Sequence, residues 1–292
     1  MKPKFRAVGM QAAVALFLLT AGSFVAYAEM LLRKFGSIST VQAFKEFGVI
    51  SPQWHKYAGE FIAFTHKIGS WYLPVLVGVP LLFLLHYLVI GPKSFSHKGQ
   101  PIPFYGAFTR FLHWAVAILF STVVVTGLMV LYAKALGGGS LILTARTLHL
   151  LCGYGFAVVA IPLFLIWLKD MLPAPYDIKW LFMAGGYLSK DVKEVPAGKF
   201  NLGQKMWFWL AFAGGAVMVY TGYYISSLSL QPEILTGYLK IHLILGLFIV
   251  ALFITHLYMS LFAIKGSLSS MISGYKWEDE VRVLHSRMLK KS

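Results

Sequence analysis

The sequence predicts an all-α integral membrane fold: a helical bundle with a four-helix core, preceded by one or two extra N-terminal transmembrane helices. Three observations carry this expectation. Of 292 residues, 58% are hydrophobic and only 13% are charged, and the mean hydropathy is +0.69. The apolar residues are gathered into uninterrupted stretches of about 20 residues, the length an α-helix needs to cross a bilayer. The charged residues lie almost entirely between those stretches. A transmembrane β-barrel would need short segments of alternating polarity, which these are not, whereas a helix in lipid pairs its backbone groups internally.

Six stretches qualify, at 9–32, 71–90, 111–131, 149–168, 206–225 and 242–264. The first follows Lys2, Lys4 and Arg6 and ends in Ala26-Tyr27-Ala28, so residues 1–35 read either as a retained transmembrane helix or as a signal-like segment with a small-residue cleavage site. The connection from 36 to 70 carries Trp54, His55, Tyr57, Phe61, Phe64 and His66, a mixture suited to an interfacial helix in the headgroup layer. With the second stretch and a Pro- and Gly-rich loop from 91 to 110, it makes a unit spanning 36–110. The four-helix core occupies 111–275. It has short loops at Gly137-Gly138-Gly139 and Gln231-Pro232 and a long polar one from Lys169 to Lys205, and 276–292 form a C-terminal tail. No internal repeat or low-complexity region is evident.

A formal net charge of +15 would suit nucleic acid in a soluble protein. Here the basic residues sit in the connections, where membrane topology accounts for them, and no nucleic-acid partner is expected. With both termini cytoplasmic, 18 of the 26 Lys and Arg fall on the inner side, as the positive-inside rule requires. The outer connection from Arg33 to Lys67 holds five of the other eight and fits this topology least. Cys152, the only cysteine, lies in an apolar run. There is thus no internal disulfide and no Cys-x-x-Cys-His, and any haem would be the non-covalent b type.

Four histidines stand at the ends of the core stretches: His113, His149, His242 and His256. With the first core helix entering from the inner side, His113 and His256 share the inner depth, and His149 and His242 the outer. Each pair then offers two neutral imidazoles from different helices at one depth, which is what bis-histidine ligation of a haem iron requires. His242 and His256 are fourteen residues apart, about 21 Å along a helix and about 40° short of four turns, so they share a face. A lone membrane histidine is more often a hydrogen-bonded interior residue, but four at two matched depths argue against that reading. A transporter using histidines as proton relays is the reading of a different class. His86 lies within the second stretch without an obvious partner at its depth. His55, His66, His97 and His285 fall in connections or the tail, and none of these five is assigned as a ligand.

Gly153 and Gly246 each follow an outer histidine by four residues and leave room on its helix face for a flat porphyrin. Arg110 and Arg146 precede His113 and His149 by three residues. They suit haem propionates and equally suit interfacial anchoring, and both readings stand. Asn201 and Gln204 precede the third core helix on the inner side, where amide donors suit a quinone carbonyl. On the residues alone, the preferred reading of Asn201 is an ordinary helix cap.

Four motifs give the chain a resemblance to a known family. They are Arg110-Phe-Leu-His113-Trp114, Ala145-Arg-Thr-Leu-His149, Lys199-Phe-Asn-Leu-Gly-Gln-Lys205 followed by Met206 and Trp209, and the run from Ile241-His242 through His256-Leu-Tyr-Met259 to Lys265-Gly-Ser267. Across residues 108–275 the chain resembles the cytochrome b (gamma) subunit of membrane-bound formate dehydrogenases. The Asn-Leu-Gly-Gln-Lys stretch is the most specific of the four, because haem proteins in general have no need of it. Cytochromes of hydrogenases and thiosulfate reductases share the di-haem plan less closely.

The resemblance implies a multi-pass anchor in the bacterial inner membrane with two haem b groups. It would take electrons from a periplasmic iron–sulfur subunit, which a molybdenum or tungsten catalytic subunit feeds. They would pass through the outer haem and then the inner one to menaquinone or ubiquinone near the cytoplasmic face. It also implies a quinone site at Asn201, Gly203, Gln204 and His256, and a higher oligomer of the whole complex. Formate itself would be oxidised elsewhere. The first hundred residues depart from the four-helix members, so their role does not transfer. Trp54 and its aromatic neighbours are candidates for contact with the iron–sulfur subunit. The same role in a hydrogenase or another molybdenum oxidoreductase is the nearest alternative.

Overall fold

Five helices are long and apolar enough to span a bilayer among the residues that the computed structural model describes, 52–227 and 231–289. The stretch at 9–32, with its two readings, lies outside the described residues, as do residues 36–51. In chain order the elements are α1 (Pro52–Val89), a short strand β1 (Pro101–Pro103), α2 (Ala107–Leu131), α3 (Gly139–Trp167) and the short α4 (Tyr176–Phe182). Then come α5 (Leu202–Trp209) and α6 (Gly215–Ser227), which make one span through a π-helical turn at Leu210–Gly214, and α7 (Pro232–Leu261). After α7 lie α8 (Ser269–Ser273), strand β2 (Tyr275–Trp277), α9 (Glu278–Leu284) and α10 (Ser286–Leu289). The protein is an all-α, multi-pass membrane protein, with one two-stranded ribbon among the described residues.

The helices run past the apolar stretches that announce them. α3 starts ten residues before His149 and α7 ten before His242, so neither histidine stands at a helix end as the hydropathy suggested. Polar residues such as Arg146, Glu233 and Lys240 occupy these early turns and mask them in a hydropathy reading. The aromatic segment after Pro52 is likewise the first part of α1 rather than a separate interfacial helix. At 38 residues α1 is about 57 Å long, well beyond the roughly 30 Å hydrocarbon core. Its surface is apolar and open, with Leu82 63% and Leu88 72% exposed, as a lipid-facing helix requires. Threonines within the spans return their hydroxyl protons to the carbonyl four residues back, as Thr122 does to Ile118 and Thr255 to Ala251, which satisfies them without water.

The chain divides into two compact units. The first combines the described residues up to Gly69 with Ala115–Pro162 and Ala216–Ile244. In it α1 is tied by the Tyr132 hydroxyl donating to the Gly69 carbonyl at 2.8 Å and by a Lys240–Glu60 ion pair at 2.5 Å. The second combines Ser70–Trp114, Leu163–Gly215 and the residues from Leu245 onward. It contains the polar segments, folded around Trp180, Val195, Ala197, Ile264 and Leu284. β1 pairs antiparallel with β2, Ile102 opposite Lys276. The tail is therefore an integral part of this unit. The Ser286 hydroxyl donates to the Val195 carbonyl at 2.9 Å, and buried Lys276 pairs with buried Glu280. Gly274 caps α8 at φ +90°, and a Cβ there would run into the Tyr105 carbonyl at 2.6 Å and the Arg110 guanidinium.

Candidate functional site

In the first unit, α3 and α7 bring His149 and His242 together with ring centroids 6.2 Å apart and planes at 65°. Each imidazole is held through Nδ1. His149 Nδ1 lies 3.0 Å from the Val123 carbonyl and 3.3 Å from Thr126 Oγ1. His242 Nδ1 lies 2.9 Å from Thr221 Oγ1. The threonine hydroxyls give their own protons to the carbonyls of Thr122, at 2.6 Å, and Val217, at 2.8 Å. Facing His149 and His242 they can only accept, as carbonyls must. Both histidines are therefore Nδ1–H tautomers, and Nε2 is left as the unprotonated nitrogen that can ligate a metal.

In the second unit, the surroundings of His113 and His256 are aromatic. Trp207 stacks on His256 at 5.1 Å and 17°, while Trp167 lies 6.1 Å from His113 and Trp114 lies 5.5 Å from it. His113 Nδ1 and the indole nitrogens of Trp167 and Trp180 are buried without a hydrogen-bond partner among the described residues. Asp177 Oδ1 is a fourth. Buried polar atoms are normally satisfied, and the orphans of His113 and Trp167, whose rings lie 6.1 Å apart, suit a further polar or metal-bearing group.

Asn201 and Gln204 form a reciprocal capping box at the start of α5. The Gln204 backbone N–H donates to Asn201 Oδ1 at 3.0 Å, and the Asn201 N–H donates to Gln204 Oε1 at 3.0 Å. The cap preferred from the residues alone is present, and it spends only the amide oxygens. The two carboxamide NH2 groups, with two donors each, are left over among the described residues. Gly203 lies against Trp180, whose ring a Cβ would meet at 3.3 Å. Gln204 is one turn from Trp207, the residue stacked on His256. Lys205, expected to be a topology lysine, is instead 3% exposed and bonded to Asp177 at 2.7 Å, which fastens α4 to α5. Lys199 sits near Asp170 at 4.0 Å and over the Tyr105 ring.

The Arg110 guanidinium lies against Gly274, and Arg146 is exposed on α3. Open space lies over Gly153, and Gly246 is buried. His86 does have partners: Nδ1 meets the Tyr258 hydroxyl at 2.6 Å and Nε2 the Tyr187 carbonyl at 2.8 Å. With both nitrogens engaged, it suits no metal. His285 is buried against the Gly198 carbonyl at 2.9 Å, and burial, reinforced by the Lys276 charge, lowers its pKa to about 3. Burial also lowers the pKa of Lys93, whose ammonium donates to the carbonyls of Ser189 and Asp191.

Sequence reasoning missed four residues. Gly127 and Gly222 touch the rings of His149 and His242, and Thr126 and Thr221 precede them. The signal was present as Val-x-Thr-Gly, once at Val124–Gly127 and once at Val219–Gly222, too short to register as a repeat.

Comparison with known proteins accords with this arrangement. The cytochrome b556(Fdn) subunit of nitrate-inducible formate dehydrogenase from Escherichia coli (strain K12) is 28% identical over 178 residues, covering 56% of this chain and 79% of that protein. The proteins of the same name from Escherichia coli O157:H7 and Shigella flexneri match to the same extent. The family model described as prokaryotic cytochrome b561 matches residues 104–274, more than half of the chain. The chain belongs to the prokaryotic cytochrome b561 family and is a haem b protein.

Proposed function

We propose that this prokaryotic cytochrome b561 is the di-haem membrane subunit of a formate dehydrogenase complex, carrying electrons from a periplasmic iron–sulfur subunit to a quinone. The observation that carries the reading is the His149–His242 pair. An iron held at about 2 Å by one nitrogen of each ring would part the ring centroids by about 6 Å, and the rings stand 6.2 Å apart with both Nε2 atoms unprotonated. His113 and His256 would hold the second haem, beside which the Trp167 indole N–H is an unspent polar atom among the described residues. Arg110, in the same unit as His113, suits a propionate there.

When bound, each haem supplies one-electron storage, and the residues do the rest. Asn201 and Gln204 present their amide NH2 groups to a quinone carbonyl, Gly203 between them admits the Trp180 ring, and His256 is reached through Trp207, one helix turn from Gln204. The relative's name supports formate as the donor. Formate oxidation to carbon dioxide on a molybdenum or tungsten subunit releases two electrons and a proton outside. Menaquinone or ubiquinone takes up the two electrons with two protons from the cytoplasmic side, so turnover is electrogenic. The positive-inside distribution of Lys and Arg supports an inner-membrane orientation with the C-terminus cytoplasmic. The four-helix core at 111–275, its tail at 276–292, the N-terminal units at 1–35 and 36–110, and a higher oligomer of the complex belong to the same proposal.

A dithionite-reduced minus oxidised spectrum with a haem count per chain tests it. Two b haems are expected, and one or none would overturn the assignment. Formate, rather than hydrogen, should reduce both in the isolated complex. Asn201→Ala and Gln204→Ala should keep both haems and slow their reoxidation by quinone. Haem loss in those variants would reduce the pair to a structural cap.

A further inference from the structure

The two Val-x-Thr-Gly segments occupy equivalent places on different helices and do the same thing to different histidines. In each, the threonine hydroxyl receives the imidazole Nδ1–H, Thr126 from His149 and Thr221 from His242, and for His149 the Val123 carbonyl, three residues before the threonine, receives it as well. In each, the next residue is a glycine whose missing side chain the ring occupies. A Cβ on Gly127 would lie 3.0 Å from His149 Cε1 and 3.3 Å from Nδ1, and one on Gly222 would lie 3.3 Å from His242 Cε1. Such contacts force a neighbour to move, and a ring tied through Nδ1 cannot move without losing its bonds. One helix thus supplies the acceptor, the fixed hydroxyl and the gap, and the next supplies the imidazole.

We propose that Thr126–Gly127 and Thr221–Gly222 are a duplicated positioning element for one haem, which fixes the tautomer and plane of both its ligands and lowers its potential below that of the other haem. This rests on the haem assignment above. Donation of Nδ1–H makes an imidazole a stronger electron donor through Nε2, which stabilises the oxidised iron. His113, whose Nδ1 has no partner among the described residues, receives no such support from them. Electrons therefore enter at the lower-potential haem and run downhill towards the quinone end.

Optical potentiometry of the intact complex decides it. Thr126→Val and Thr221→Val keep the shape of the side chain and remove the acceptor, and each should shift one b component to higher potential while the other stays put. Thr126→Ser and Thr221→Ser should restore the parental value. Gly127→Ala should cost occupancy of the same haem, and more of it than Gly222→Ala. Unchanged potentials in the valine variants, equal shifts of both components, or serine variants behaving like valine would overturn the inference. His149→Ala separates this from failure of the parent reading. If it removes the component that the valine variants leave unmoved, only the positioning role falls. If it leaves two haems, the haem assignment itself falls.

Discussion

His149 and His242 are held by hydrogen bonds, whereas His113 and His256 are held by packing. Around the first pair, two hydroxyls, the Val123 carbonyl and two glycines define each ring to one tautomer and one plane. Around the second pair stand Trp114, Trp167 and Trp207, which define a slot without specifying which nitrogen carries the proton. Under the proposed function, the difference matches two tasks. A group that only passes electrons gains from a fixed environment, since every reorganisation slows it. A group beside a reaction that takes up protons gains from neighbours whose polar atoms are not yet committed.

The sharpest way to break this comparison is to remove the ligands. His149→Ala and His242→Ala should each abolish the same spectral component, and His113→Ala and His256→Ala the other. If His149→Ala and His256→Ala removed the same one, the pairing would be wrong. Next in size is the buried Lys205–Asp177 pair in the second unit, with side chains 4% and 7% exposed. Lys205→Met leaves a buried carboxylate uncompensated and should cost about 3 to 5 kcal/mol. The readout is proteolysis of residues 276–289 at a temperature where the parent resists, with the His149/His242 component intact.

The second unit should also be the acid-sensitive one. His285 has a pKa of about 3 when folded against 6.5 when free, so below 6.5 the unfolded chain binds a proton that the folded one refuses. Stability should fall as the pH drops from about 6.5 towards 3, and His285→Gln should flatten that slope in a pH series of thermal unfolding curves. The smallest effect belongs to the first unit. Glu60→Gln breaks a half-exposed ion pair with Lys240 and should cost less than about 1 kcal/mol by the same measurement. A large loss there would mean that α1 braces the histidine pair more firmly than its open surface suggests.

The spans were legible in the sequence because lipid imposes long apolar runs, and the four histidines stood out because polar residues in such runs are rare. Their true depth was hidden, since the early turns of α3 and α7 carry charges that hydropathy reads as loop. Thr126 and Thr221 escaped notice because a threonine in a membrane helix ordinarily satisfies itself on its own backbone. Only the fold shows a second partner. Lys205 was misjudged for a related reason: its counter-ion Asp177 lies 28 residues away, beyond any helical spacing rule. The Asn201–Gln204 box, by contrast, is local and was readable in full.

The π-helical turn at Leu210–Gly214 sets the phase of the helix beyond it. Taking one residue out of that turn would rotate everything downstream by about 100°. Along this one span, Thr221 and Gly222 would then leave the helix face that they now occupy. Length changes are easily absorbed in a surface loop such as Gly137–Gly139 and are intolerable here. Among related chains, insertions and deletions should therefore be absent between Trp207 and Thr221, even where the residues themselves drift.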